Sequence, residues 1–346
     1  GETRTMTIAP MAPWLSVLIP VYNVRDYLAE CVASVLEQAP DDGSVEVLLL
    51  DDCSTDGSSE TIDQLRARWP GRLRLLLHDR NRGLSAARNT MLGAAQGEYI
   101  WFLDSDDKLL PGAIPALHQI VQAHGPDAVL CDFQVWREKP RLKHRLRGEA
   151  HRHTFDGPSL VLQYGPTGLL RGLLATGQLH AWSKITRRAL WVDGVRFPEG
   201  SYFEDMATMP LALIRANSYY YMPRPWVAYR QRGGSILATM TLAKAFDQSA
   251  ALLTLHQALA GRSELADAGL QFAMAHQCAR NLYGAMRFVQ KAEASSAELD
   301  VAAQRLRADF ASASPLTAGA LLRAYVQRGW WFRWLKFRRA YAHRFV

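Results

Sequence analysis

Three clusters of carboxylates mark where this sequence can do chemistry. They are Asp104, Asp106 and Asp107 in "DSDD", the pair Asp51-Asp52, and the pair Glu204-Asp205. Like charges at such spacing raise one another's pKa and disfavour ionisation, so something must offset the repulsion. A helix N-terminus offers one solution, because Asp is favoured as an N-cap and in the first turn. A divalent cation offers another, because hard cations take oxygen ligands. The "DSDD" stretch alone leaves both readings open. Ionised Asp51 and Asp52 are acceptors only, suited to an N–H donor. Glu204 and Asp205 are neighbours at a helix start and point about 100° apart, so both cannot face one substrate atom.

The elements that position these groups are short apolar runs alternating with helical periodicity. Strands are expected at "LSVLIPVY" (15–22), "VEVLLLDD" (45–52), "LRLLLHD" (73–79) and "EYIWFLDSDD" (98–107), with helices at 24–38, 58–69 and 83–96. Uninterrupted apolar strands between helices imply a parallel sheet covered on both faces. Tyr22-Asn23, Asp51-Asp52 and the "DSDD" cluster then fall together at carboxyl ends of strands, where open α/β sheets place ligands. That convergence favours one site over three coincident helix caps. Further on, a helix at "AIPALHQIVQAHG" and a strand at "AVLCDFQVW" are expected. "HAWSKITRRALWV" reads as helix-like, "EDMATMPLALIRA" as a helix, and "SYYYMPRPWVAYRQR" as a strand with an edge proline. The basic stretch 137–153 reads as a solvated hairpin or mobile loop, its "HRH" at 151–153 more simply solvated than metal-binding. A boundary is placed at "GGSILATM", giving an α/β domain over 14–235 and a helical region over 236–346.

Bulk numbers narrow the class. The 346 residues are 49% hydrophobic with a net charge of +7, a globular profile with an anionic partner. Four cysteines, Cys31, Cys53, Cys131 and Cys278, show no CxxC pairing, which argues for reduced thiols and against a disulfide framework or a zinc site built on them. No apolar run of about 18 residues is present to span a bilayer. The N-terminal stretch lacks the apolar region of a secretory signal. With only Gly83 and a distant Gly93 near the third strand, a dinucleotide fingerprint is absent and hydride transfer is unsupported.

"SVLIPVYN" (16–23), "LLLDDCSTDGS" (48–58), "NRGLSAARN" (81–89), "FLDSDD" (102–107) and "FED" (203–205) occur in order. In this the sequence resembles the family 2 glycosyltransferases, over roughly residues 15–235. The resemblance implies the GT-A fold, a doubly wound, mostly parallel α/β sheet. It also implies a nucleotide-sugar donor, a divalent metal (Mn²⁺ or Mg²⁺) and inversion at the anomeric carbon. Carried over by residue, it gives Pro20, Tyr22 and Asn23 to the nucleotide, with Tyr22 on the base. Asp52 takes a base N–H, while Asp51 and Asp56 hold the following turn. Asn81 and Arg88 contact the nucleotide, and Arg82 stays solvated. Asp104 takes the ribose hydroxyls or a metal-held water, Asp106 holds the metal, and Asp107 supports them. Asp205 is the expected general base with Glu204 supporting. Trp182 is an acceptor platform or a core residue, and Arg230 and Arg232 close over the diphosphate.

The resemblance favours a UDP-sugar and a glycan or lipid-linked acceptor in bacterial surface polysaccharide synthesis. The expected place is cytoplasmic, peripheral on the inner face of the plasma membrane, with no nucleic acid as partner and room for a homo-oligomer. Two competing readings are a sugar-1-phosphate nucleotidyltransferase and a nucleic-acid-binding protein. The first lacks its Gly-rich, Lys-bearing loop after the first strand, where "PVYNVRDY" stands. The second conflicts with acidic clusters at the sheet edge. In the tail, a helix over 330–345 puts Trp330, Trp334, Phe337, Tyr341 and Phe345 on one stripe. Arg333, Lys336 and Arg339 lie opposite, and no acid follows Arg328. That pattern suits an anionic membrane surface or packing on protein.

Overall fold

The computed structural model describes residues 12–232 and 239–345, so most of the expected boundary at 233–240 lies outside the described residues. Nine strands form one sheet: β1 (Leu15–Val21), β2 (Val45–Asp51), β3 (Leu73–Leu77), β4 (Tyr99–Phe102), β5 (Lys108–Leu109), β6 (Ala128–Trp136), β7 (Leu162–Tyr164), β8 (Lys184–Arg187) and β9 (Ser218–Arg230). Their order is β3-β2-β1-β4-β8-β6-β9-β5, with β7 also on β9. The expected parallel unit is present as β3-β2-β1-β4. Beyond it the sheet is mixed, because β8 runs antiparallel between β4 and β6.

Residues 181–191, expected to be helix-like, are strand β8 flanked by two 3₁₀ turns. Strand β8 sits between two others, where the β-branched pair Ile185-Thr186 packs well, and Ile185 is fully buried. Strand β9 is not an edge strand. Its Pro223 falls in a bulge against β6, where the register jumps from Cys131↔Met222 to Asp132↔Pro225. A bulge tolerates the missing ladder donor.

Helices α1 (Leu28–Leu36), α2 (Ser58–Arg68), α3 (Leu84–Ala94), α4 (Ala113–His124), α5 (Leu142–Leu146), α6 (Pro166–Thr176) and α7 (Glu204–Leu213) surround the sheet. Side chains alternate across it. In β1, Leu15, Val17 and Ile19 join a core with Leu28, Val32 and Ile62 of α1 and α2. Leu18 faces a second core that includes Leu170 of α6 and Leu282 of the helix Ala268–Val289. The C-terminal helices thus share a core with one face of the sheet.

The terminal helix, Trp331–Ala342, belongs to that core. Phe337 is fully buried against Phe310 and Tyr325, and Trp334, Tyr341 and Phe345 pack beside it. Of the stripe expected to meet either a membrane or protein, these four residues therefore meet protein. The fifth, Trp330, meets Phe272, His276 and Tyr325 yet stays 40% exposed, and next to it Trp331 at 61%, Phe332 at 73% and Leu335 at 38% are exposed as well. No described helix is long and apolar enough to cross a membrane.

Candidate active site

The carboxyl ends of β1, β2 and β4 carry the expected groups. Val21 O accepts from Asp52 N, and Leu18 O accepts from Leu103 N. Along β1 the odd residues therefore address β2 and the even ones β4. Pro20, given to the nucleotide by the resemblance, is inside the strand, paired in register with Leu50. Its missing N–H faces the side that β4 has left, since the β1–β4 pairing stops at Leu18↔Phe102. Beyond it Tyr22 is 44% exposed. Asn23 adopts a left-handed backbone (φ 51°) and its side chain accepts from Thr55 N at 2.8 Å.

Asp51 and Asp56 hold the turn, as expected. Asp51 accepts from Ser54 N and Ser59 Oγ, and Asp56 from Ser58 N and Arg25 N. Gly57 (φ 95°) occupies a backbone region that a side chain would strain. Asp52 is buried and spoken for. It accepts from Arg82 N at 2.9 Å and Gly83 N at 2.8 Å, and its Oδ1 lies 2.7 Å from His78 Nδ1. Three of about four acceptor positions are in use, so what it visibly does is fasten the "NRG" loop. His78, in turn 2.9 Å from Thr90 Oγ1, is a residue of this loop that the sequence alone does not single out; it is buried although it follows the largely uncovered edge strand β3. Asn81 is exposed, and its side chain accepts from Gly83 N. Arg82 pairs with the exposed Glu199.

Arg88 organises the centre. It is only 1% exposed, and it donates from Nη2 to Asp104 Oδ1 at 3.2 Å and from Nη1 to Asp205 Oδ1. Its guanidinium lies over Phe197 and Phe102, 5.0 and 5.7 Å from the ring centroids. The expectation placed Arg88 against the nucleotide, but both terminal nitrogens are given to carboxylates. It joins the "DSDD" cluster to the "ED" pair.

The cluster is electrostatically loaded. Burial, with Asp205 and Asp106 adding and Arg88 opposing, raises Asp104 to about 6. Burial and its two neighbours push Asp107 up to about 9, and burial with the same three carboxylates drives the Cys31 thiol well above its ordinary value. Asp107 accepts from Arg230 N at one oxygen, while its buried Oδ2 has no partner among the described residues. Around the rim, Arg230 Nε donates to the Asp106 carbonyl and Arg232 lies 3.5 Å from the Asp106 carboxylate. Trp136 and Tyr27 back Arg230, and Tyr27 also backs Arg232. Three crowded carboxylates, with the Asp107 Oδ2 left without a partner among the described residues, are a donor set whose chemistry fits a hard divalent cation, for which Asp106 is the expected ligand.

Asp205 is the second residue of α7, whose N-cap Phe203 is in a left-handed conformation (φ 57°). Its Oδ2 accepts from Ala181 N at 2.9 Å. Burial pushes its carboxyl up, but Arg88 and the Ala181 N–H outweigh this and hold it below the ordinary value. Asp205 is therefore ionised at neutral pH with lone pairs to spare. Glu204 goes the other way, raised by burial and by the Asp205 charge. Trp182 resolves as a core residue. It is 2% exposed, stacks on His180 and Tyr229, and accepts at its carbonyl from Trp101 Nε1.

Residues 16–174 match the family model described as Glycosyl transferase family 2. Among curated relatives, the chain is 28% identical over 235 residues to glycosyltransferase GlyG of Streptococcus pneumoniae, covering 66% of this chain and 74% of that protein. It is 43% identical over 96 residues to the putative teichuronic acid biosynthesis glycosyltransferase TuaG of Bacillus subtilis, covering 28% of this chain and 37% of TuaG. Among solved structures, S. aureus TarS 1–349 in complex with UDP-GlcNAc superposes with a TM-score of 0.55 at 19% identity, covering 94% and 90% of the two chains. The mannosyltransferase PcManGT from Pyrobaculum calidifontis, in complex with GDP-Man and Mn²⁺, gives 0.51 at 18% identity over 96% and 88%. These two likenesses speak to the fold.

Proposed function

We propose, from the match of residues 16–174 to the glycosyl transferase family 2 model and from the GT-A fold, that this chain is an inverting transferase of that family. It moves a sugar from a nucleoside-diphosphate donor, a UDP-sugar by preference, to a hydroxyl of a glycan or lipid-linked acceptor. The observation that carries this reading is the Asp104–Arg88–Asp205 bridge, which holds a donor-side carboxylate and a base in one rigid unit. Tyr22 gives the nucleobase an exposed aromatic face, and Asn23 with the loop fastened by Asp52 borders the ribose. When bound, Mn²⁺ or Mg²⁺ at Asp106 would neutralise the diphosphate charge that grows as the glycosidic bond breaks, with Asp104 beside it for the ribose hydroxyls or a metal-held water. Arg230 and Arg232 border the same anion. Asp205 takes the proton of the acceptor hydroxyl as that oxygen attacks the anomeric carbon. The bond to the diphosphate breaks on the opposite face, so a single displacement inverts the centre. That TuaG is named for teichuronic acid supports a surface polysaccharide as product class.

The test is a thermal-shift panel of UDP, GDP and dTDP, each with and without Mn²⁺. One nucleoside diphosphate should raise Tm only with Mn²⁺, by the equivalent of about 2.7 kcal/mol at a hundredfold excess over Kd. Asp106→Asn should lose that shift while melting at the wild-type temperature without ligand. Shifts indifferent to Mn²⁺, or none, would remove the donor assignment.

We also propose that the exposed Trp331, Phe332 and Leu335 rest on an anionic membrane surface. Lys336 lies over Phe332, and Arg338 lies over Trp334. Aromatic side chains ringed by cations suit the headgroup level, where each cation contributes about 1 kcal/mol. Trp331→Ser with Phe332→Ser should abolish sedimentation with anionic vesicles at low salt and leave Tm unchanged. Deleting residues 328–346 would instead destabilise the fold, since Phe337 goes with them. A wild-type protein that ignores such vesicles but self-associates through this patch would overturn the membrane reading.

A further inference from the structure

Away from the carboxylate cluster, the segment 151–153 returns to the sheet. Arg152 bridges Phe133 of β6, with Arg152 N donating to Phe133 O at 2.8 Å. In extended backbone, residues two apart share a face. His151 and His153 therefore both turn towards Asp132, the neighbour of Phe133. Asp132 lies at the place where β6 and β9 shift register on both of its sides, and such a bulge re-aims a side chain. His151 Nε2 lies 2.7 Å from Asp132 Oδ2, and His153 Nδ1 lies 3.0 Å from the same oxygen. The two imidazole centroids are 4.4 Å apart.

The carboxylate is completely buried, while the imidazoles are open to solvent, with side-chain exposures of 39% and 64%. Its other oxygen is held by Thr154 N at 3.0 Å and Tyr221 Oη at 2.8 Å, and the same hydroxyl lies 3.0 Å from Oδ2. This is how ligating carboxylates are held when outer partners orient them. Both imidazoles converging on one oxygen would need two N–H donors there. A cation instead uses both nitrogens and the oxygen as ligands, without a proton at the ligating atoms. The three ligand atoms lie within 4.8 Å of one another.

We propose that Asp132, His151 and His153 form a second metal site, for a borderline divalent ion of the Zn²⁺ class. Two imidazoles and one carboxylate suit Zn²⁺, Co²⁺ or Ni²⁺, whereas Mg²⁺ and Mn²⁺ prefer an all-oxygen set such as the "DSDD" cluster. Three protein ligands leave a fourth, solvent-facing position for water. The ion clamps the return of the basic segment 137–153 onto β6. Phe133 beside the clamp packs edge-on against His180 and Trp182, which flank Ala181, the residue whose N–H donates to Asp205.

The test uses untagged full-length protein, stripped of metal and held in excess Mg²⁺, titrated with Co²⁺ and followed by visible absorption. Wild type should bind one equivalent with the strong d–d bands of a four-coordinate nitrogen-bearing site, and stoichiometric Zn²⁺ should bleach them. His151→Gln and His153→Gln should each weaken Co²⁺ by at least about tenfold, and Tyr221→Phe by about 10–100-fold through the lost outer partner. Asp106→Asn should leave the bands intact. Absent bands, bands that survive His153→Gln, or bands that vanish in Asp106→Asn would each overturn the site.

Discussion

Asp205→Asn should lower turnover by about 10²–10⁴-fold, the range expected on removing a positioned general base. The amide is isosteric and still accepts from Ala181 N–H, so the start of α7 keeps its place. Mn²⁺-dependent binding of the nucleoside diphosphate should survive, because Asp104 and Asp106 are untouched. Arg88 loses one of its two carboxylates but keeps Asp104, so a modest drop in Tm is expected. Glu204→Gln should be far milder. Burial and the neighbouring charge raise its carboxyl, whereas Arg88 and the Ala181 N–H keep Asp205 ionised. Turnover, product stereochemistry and nucleotide binding, measured on both variants, decide the matter. Near-wild-type turnover in Asp205→Asn with collapse in Glu204→Gln would reverse the assignment.

The parts of this molecule that could be read from sequence are those whose cause is local. Strands β1, β2 and β4 announce themselves because both faces are covered, which demands continuous apolar runs, whereas the apolar run of β3 lies at the sheet edge with Leu77 exposed. The "DSDD" and "ED" groups stood out because carboxylates at such spacing demand an explanation, and the turn roles of Asp51 and Asp56 follow from short-range acceptor chemistry. What stayed hidden depends on partners far along the chain. The family resemblance gave Arg88 to the nucleotide. Its actual partners are 16 and 117 residues away, and no periodicity encodes that. Similarly, Asp132 lies about twenty residues before "HRH", and a two-proline stretch in β9 supplies the bulge that aims it. The i, i+2 spacing of His151 and His153 was the available signal, because it predicts a shared face whenever the segment is extended. The C-terminal stripe was visible in outline, but amphipathic periodicity alone does not say whether protein or lipid covers the apolar side.

Arg88→Met should cost stability and chemistry together. The guanidinium is buried and paired with two carboxylates, and removing one partner of a buried ion pair costs about 3–5 kcal/mol because the remaining charge is left uncompensated. Here the loss strands Asp104 and Asp205 near each other with no cation between them. Both already feel burial, Asp104 also feels the Asp205 charge, and Arg88 is the opposing influence on each. The sign follows directly. With Arg88 gone both carboxyls rise, so the form of Asp205 able to accept a proton appears only at higher pH. The acidic limb of the pH–rate profile should therefore move upward in Arg88→Met, in addition to a fall in rate at neutral pH. A merely structural role would lower Tm and leave that limb in place. Arg88→Lys separates the two contributions. It restores a positive charge but not the two-pronged fork that reaches both carboxylates at once. The limb should move back towards its wild-type position while the rate stays depressed, because one of Asp104 and Asp205 loses its fixed orientation. If Arg88→Met melts like wild type and keeps its acidic limb, the bridge does not govern the base, and Asp205 owes its ionisation to the Ala181 N–H alone.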